Sequence, residues 1–164
     1  MAVSLAKLGI RPGDRVVDVG CGTGKVAIAA SRLAERVYAV DRRPEAIAYA
    51  RAQAAAAGAS NVEFFEGDAV EILPDLGPLD AAFVGGSRRL PEVLDLLAGT
   101  VQGRIVVNAV MVETLQSAVA TMQRLGIFVE AVHIQVSRSA DIAGGMMFKP
   151  VNPVYIIVGG AGCS

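Results

Sequence analysis

The 164-residue sequence predicts an α/β fold, a three-layer sandwich in which helices cover both faces of a mostly parallel, seven-stranded sheet that ends in an antiparallel β-hairpin. Three observations predict it. Apolar runs of strand length alternate with segments of helical period from Arg15 to Leu125. The first of these runs leads into a turn with a glycine at every second position. From Phe128 the rhythm changes, and two strand-like runs follow with no helix between them.

The first strand is Arg15–Val19, an apolar run interrupted only by Asp18 near its end. It enters Gly20-Cys21-Gly22-Thr23-Gly24. A turn this tight needs residues that tolerate positive φ, and a missing Cβ lets backbone approach a ligand closely. Val26, Ile28 and Leu33 then resume at helical spacing, predicting a helix over Thr23–Ala34 whose amino end faces that ligand. Strand Val37–Asp41 and helix Pro44–Ala57 follow, with Pro44 in the first helical turn, where proline is tolerated. Next come strand Val62–Glu66 with a short helix Ala69–Leu73, then Ala81–Val84 with Leu90–Leu97, then Arg104–Ala109 with Val112–Leu125. Gly58, Gly99 and Gly126 stand where helices stop. Strands Val129–Ser137 and Pro153–Val158 form the hairpin, joined by a loop that holds Gly144-Gly145-Met146-Met147, with Asn152-Pro153 as turn chemistry. No repeat or linker divides the chain, so residues 1–164 read as one domain.

Composition narrows the function. Hydrophobic residues make up 53% and charged residues 19%, which excludes a disordered chain. No window approaches about eighteen uninterrupted apolar residues, and the amino terminus has no signal-peptide pattern, so no membrane association is expected. A net charge of −1 gives no support for a nucleic-acid surface. Two cysteines, Cys21 and Cys163, make neither a disulfide framework nor a metal spacing. A reduced, cytoplasmic protein with no metal site is the expectation.

The glycine turn selects among nucleotide-like ligands. A phosphate-binding loop needs Gly, four residues, then Gly-Lys-Ser/Thr. Gly24-Lys25 supplies the end, but Val19 and Val26 stand where the first glycine and the hydroxyl belong. A dinucleotide fingerprint needs Gly-x-Gly-x-x-Gly, and here the third glycine comes one residue early. The Asp18-x-Gly20-x-Gly22-x-Gly24 form resembles motif I of class I S-adenosyl-L-methionine (SAM) methyltransferases. That resemblance implies SAM as cofactor and S-adenosyl-L-homocysteine (SAH) as product. It implies cofactor contacts along Asp18, Gly20, Cys21, Gly22, Thr23 and Gly24, with a carboxylate and a ribose cradled in place of a pyrophosphate. Two further strand ends agree. Asp41 closes an apolar strand as the acid that accepts from ribose hydroxyls, and Arg42 follows it over the adenine. After the third strand, Val62–Ala69 resembles the third cofactor segment of those enzymes, which implies Asp68 as the acceptor for the adenine amino group and the Ala69 N–H facing the ring.

Later strand ends carry the substrate side of such sheets. Strand four ends in Phe83-Val84-Gly85-Gly86-Ser87 and lacks the Asn/Asp-Pro-Pro-aromatic motif of amino-group methyltransferases. Together, Val84-Gly85-Gly86-Ser87, Asn108 through Leu115, Arg138, Gly145-Met146-Met147 and Asn152-Pro153-Val154 resemble the precorrin carbon-15 methyltransferase/decarboxylase family of cobalamin biosynthesis. Asp41-Arg42-Arg43-Pro44-Glu45-Ala46-Ile47 fits it too, and the resemblance covers nearly the whole chain.

The family implies methylation at carbon 15 of a precorrin or cobalt-precorrin tetrapyrrole and decarboxylation of the acetate at carbon 12. It implies a substrate site along Gly85, Gly86, Ser87, Arg88, Asn108, Arg138, Met146 and Met147. Arginine forks suit its many carboxylates, and Arg89 is either a further one or a solvated helix start. Glu113, as a proton relay, and Arg138 are the catalytic candidates. The only histidine, His133, reads as a sheet-face residue rather than a base. The family also implies a homotetramer and a second precorrin methyltransferase domain acting at carbon 5, fused or as partner. Members carry an amino-terminal segment that closes over the cofactor, and Met1–Leu8 reads as part of the helix that follows it. Two other readings stay open: another small SAM methyltransferase acting on tRNA or protein, and a SAM-binding assembly domain without catalysis.

Overall fold

A computed structural model describes residues 1–86 and 88–160. Ser87 and Cys163, both named above, lie outside the described residues. The elements run α1 (Ala2–Leu8), β1 (Arg15–Val19), α2 (Lys25–Ala30), β2 (Arg36–Asp41), α3 (Pro44–Ala56), β3 (Val62–Glu66), α4 (Ala69–Ile72), β4 (Ala81–Val84), α5 (Leu90–Thr100), β5 (Arg104–Ala109), α6 (Val112–Arg124), β6 (Phe128–Ile142) and β7 (Gly145–Gly160). A 3₁₀ turn, Leu73–Leu76, extends α4.

The seven strands form one sheet in the order β3-β2-β1-β4-β5-β7-β6. The first five strands pair in parallel, and β7 runs antiparallel to both β5 and β6. Strand alternation divides the core in two. Val16, Val37, Ala39, Phe83 and Val106 face Leu8, Ala27, Ala30 and Ala50 of α1–α3. Val17, Val40, Val84 and Val107 face Leu90, Leu94, Leu97 and Met122 of α5 and α6. Central strands buried on both faces explain why they read as continuous apolar runs. Strand order reverses between β1 and β4, which opens a crevice at their carboxyl ends. Among the described residues, no helix is long and apolar enough to cross a membrane.

Three boundaries differ from the sequence reading. The helix expected over Thr23–Ala34 is only Lys25–Ala30, because Gly24 enters it in the left-handed conformation (φ 74°) and leaves Thr23 in the loop. Gly99 lies within the last turn of α5 rather than beyond it. The hairpin is much longer than expected: Gly145, Met146 and Met147 belong to β7, and the connection shrinks to Ala143-Gly144. Both have positive φ (47° and 79°), the backbone of a two-residue hairpin turn. Asn152-Pro153 is likewise inside β7. Ile134 pairs Val154 and Val136 pairs Val151, so those two residues stand opposite Gln135 alone. Such a bulge is where a strand accepts a proline that donates nothing to the ladder.

Candidate active site

The carboxyl ends of β1 to β4 surround a cavity of about 310 Å³ lined by Gly20, Asp41, Arg42, Arg43, Asp68, Ala69, Gly85, Gly86 and Arg88, among others. A larger one, about 580 Å³, lies at the opposite edge of the sheet among Lys7, Arg11, Asp14, Asp80 and Glu130. None of the sequence-predicted site residues lines that second cavity.

The glycine loop is held from below. Gly20 and Cys21 N–H groups both donate to the Val40 carbonyl, at 2.8 and 3.0 Å. A Cβ on Gly20 would stand 2.7 Å from Gly86 N and 2.9 Å from Gly86 Cα. The glycine turn and the Gly85-Gly86 segment therefore meet backbone to backbone, a contact open only to glycine. A Cβ on Gly24 would stand 2.9 Å from Ala50 Cβ, so that glycine serves helix packing. Asp18, Cys21, Gly22, Thr23 and Gly24 are not among the cavity's lining residues, and the Gly22 N–H donates to Asp41 Oδ2 at 2.9 Å.

Three strand-end carboxylates differ sharply in environment. Asp18 is 1% exposed. Its Oδ2 accepts from Ala27 N–H at 2.9 Å, which ties β1 to α2, whereas Oδ1 has no partner among the described residues. Burial pushes its pKa up to about 7 against the lowering effect of the Ala27 bond, and the Asp41 charge adds to the rise. Burial also works against ionised Asp41, but hydrogen bonds from the Arg43 side chain, the Arg43 N–H and the Gly22 N–H outweigh it and hold its pKa below the ordinary value. Asp68 caps α4 by accepting from Val70 N–H at 3.0 Å. Its other oxygen faces Arg89 at 3.5 Å and Arg88 at 4.0 Å. Cys21 is an inert neighbour, its thiol pushed up to about 12 by burial and then by the Asp18 and Asp41 charges.

The sequence-predicted substrate residues do not form one cluster. Gly85, Gly86 and Arg88 line the same cavity as Asp41 and Asp68. Asn108 accepts from the Ser4 hydroxyl at 3.0 Å and so anchors α1 to β5. Arg138, Met146 and Met147 lie on the exposed part of the hairpin, with Arg138 opposite Lys149 and Met147 opposite Ala140. Glu113 is exposed in the first turn of α6. Arg89 pairs with Glu92 three residues on, as the start of α5. His133 stacks on Tyr155 across the hairpin, with ring centroids 4.5 Å apart. Sequence reasoning missed Arg43. Arg42, expected over the adenine, lines the cavity, and Arg43 grips Asp41 with Nε and Nη2, each at 3.0 Å. Its signal is the Asp-Arg-Arg-Pro order: the proline starts α3, and the residue before it turns back on the strand-end acid.

The residues fit a nucleoside ligand: a cavity wall without side chains at Gly20, Gly85 and Gly86, a carboxylate at a strand end that could serve hydroxyls, and a second carboxylate that could serve an amino donor. A precorrin methyltransferase domain model matches residues 1–159. The chain belongs to that family. It is 49% identical, over 97% of its length and 89% of the relative's, to a probable cobalt-precorrin-6B C(15)-methyltransferase (decarboxylating) of Methanosarcina acetivorans. Among solved structures, precorrin 8W decarboxylase of Methanobacterium thermoautotrophicum superposes with a TM-score of 0.93 at 35% identity, covering 98% of this chain and 90% of that one. A precorrin-6Y C5,15-methyltransferase of Geobacter metallireducens gives 0.92 at 34% identity, covering 98% and 87%. The class I methyltransferase fold read from the sequence is thus the observed one, and within this methyltransferase family the cavity at β1–β4 is the candidate active site.

Proposed function

We propose that this chain methylates carbon 15 of a precorrin or cobalt-precorrin and removes carbon dioxide from the acetate at carbon 12; its Methanosarcina relative is a probable cobalt-precorrin-6B C(15)-methyltransferase (decarboxylating). The observation that carries the reading is the convergence of the glycine turn, Asp41 and Asp68-Ala69 on one cavity in a chain of this family. Bound SAM supplies an electrophilic methyl group. Asp41 would hold the ribose hydroxyls, Asp68 would accept from the adenine amino group, and Gly20 would border the methionine part. An electron-rich carbon of the macrocycle needs alignment and a dry site more than a strong base. That demand suits a cavity wall of Gly85 and Gly86, which brings no bulk to the reacting side.

Arg138 and Lys149, directly opposite each other on the hairpin, form a cationic pair for substrate carboxylates. Glu113 remains the candidate proton relay. The test is incubation with SAM and cobalt-precorrin-6B followed by mass spectrometry. One methyl gained with one carbon dioxide lost is the expected result. An unchanged corrinoid mass with SAH demonstrably bound overturns the substrate assignment.

The assembly we propose is a homotetramer. Val136, Ile142, Met146, Phe148 and Val151 are exposed on a two-stranded ribbon. A ribbon of that kind is marginal in water unless a further surface covers it. Light scattering is expected to give a four-chain mass, and a monomer at micromolar concentration refutes it.

A further inference from the structure

We propose that Arg43 sets the affinity of this chain for its nucleoside cosubstrate, because its guanidinium holds the positions on Asp41 that ribose hydroxyls require and must leave before they bind. The inference rests on the reading that Asp41 receives the ribose.

A carboxylate offers about four acceptor positions. On Asp41 four donors already fill them. Oδ1 accepts from Arg43 N–H and Nε–H, each at 3.0 Å. Oδ2 accepts from Gly22 N–H at 2.9 Å and Arg43 Nη2–H at 3.0 Å. The two backbone donors are fixed by the glycine turn and by the entry to α3. The two guanidinium donors are not, and they form a fork across both oxygens. A vicinal diol presents the same count, two O–H donors side by side, so the guanidinium stands in for the ribose. Arg43 also lies over the glycine turn, with Nη2 3.7 Å from where a Gly22 Cβ would be. The exposures match such an exchange: the Arg43 side chain is 55% exposed and the Asp41 side chain 4%. The carboxylate stays in place while the arginine departs into water. The fraction of molecules with Arg43 displaced then scales the apparent affinity, a conformational tax on binding.

The experiment measures SAH binding by calorimetry for the wild type, Arg43→Met and Arg43→Lys, at low and high sodium chloride. Methionine keeps the aliphatic stem without donors, and the exposed position makes it compatible with folding, which a thermal midpoint checks. Arg43→Met is expected to bind SAH roughly fivefold or more tightly than wild type, with Arg43→Lys between them. Wild-type affinity should rise with salt, which weakens the half-exposed ion pair, and the salt effect should vanish in Arg43→Met. Equal affinity, or an identical salt response, overturns the inference and leaves the cofactor reading standing. Weaker binding by Arg43→Met also overturns it, because the arginine then helps to hold the ligand. Absence of SAH binding in every variant removes the cofactor reading and this inference with it.

Discussion

Replacing Asp18 with asparagine should abolish the contribution that this buried carboxyl makes to the pH dependence of stability. Asp18 is 1% exposed and, among the described residues, one of its oxygens has no donor, so its ionised form is costly. Its pKa rises from 3.8 to about 7 in the folded protein. Between those values the folded chain keeps a proton that the unfolded chain has lost. Stability therefore falls as pH rises through this window, is unaffected by Asp18 below it, and carries the full cost above it. A rise of about three pH units corresponds to about 4 kcal/mol, an upper figure once local relaxation takes a share. Asparagine is nearly isosteric, cannot ionise, and keeps an oxygen for the Ala27 N–H. Its amide N–H₂ then occupies the unpartnered position, which costs about 1–3 kcal/mol at every pH. Urea unfolding should accordingly find Asp18→Asn less stable than wild type at pH 4.5 and equal or more stable at pH 8. The change between the two pH values should be about 2–4 kcal/mol. Asp41 does not mimic this effect, because its lowered pKa makes a contribution that is lost only as pH falls through the carboxylate range. A stability difference that is flat from pH 4.5 to 8 refutes the account of Asp18 as a carboxylate ionised at a cost.

Gly20→Ala should destabilise the ligand-free protein by about 2–4 kcal/mol, measured by urea unfolding, since φ is +74° and the new Cβ would press on the Gly86 backbone. Asp41→Ala should weaken SAH binding by about 1–3 kcal/mol in calorimetry, the cost of leaving buried polar groups unpaired, and unchanged affinity would refute the ribose assignment. Cys21 should resist a thiol reagent at pH 8 in the native state and react at once in urea, because burial holds its thiol near 12. Arg138→Ala should lower turnover with precorrin while leaving SAH affinity within error, because Arg138 lies on the hairpin, outside the cavity that holds Asp41.

The gathering of Asp18, Asp41 and Asp68 at one sheet edge was legible because each acid stands at or just beyond the end of a strand of the parallel sheet. Asp18 and Asp41 lie in apolar runs buried on both faces, whereas Asp68 follows the partly buried edge strand β3, and strand order carries each acid to the same edge. The hairpin was legible only as a pair of strands. Its outer residues are exposed on both faces, so neither alternation nor burial marks where β6 ends, and Gly144-Gly145 looked like a loop when only Ala143-Gly144 turns. Pro153 hid the continuity of β7 because a lone proline reads as a break, and only pairing reveals the bulge that accepts it. Arg43 was hidden for a different reason. Side-chain direction after a strand end depends on how the next helix starts, and here Pro44 fixes that start so that residue 43, not residue 42, folds back onto Asp41. Strand-end acids can be read from pattern because a sheet delivers them to one edge. The arginine that answers them depends on a single turn, and there the geometry rather than the periodicity decides which residue folds back onto Asp41.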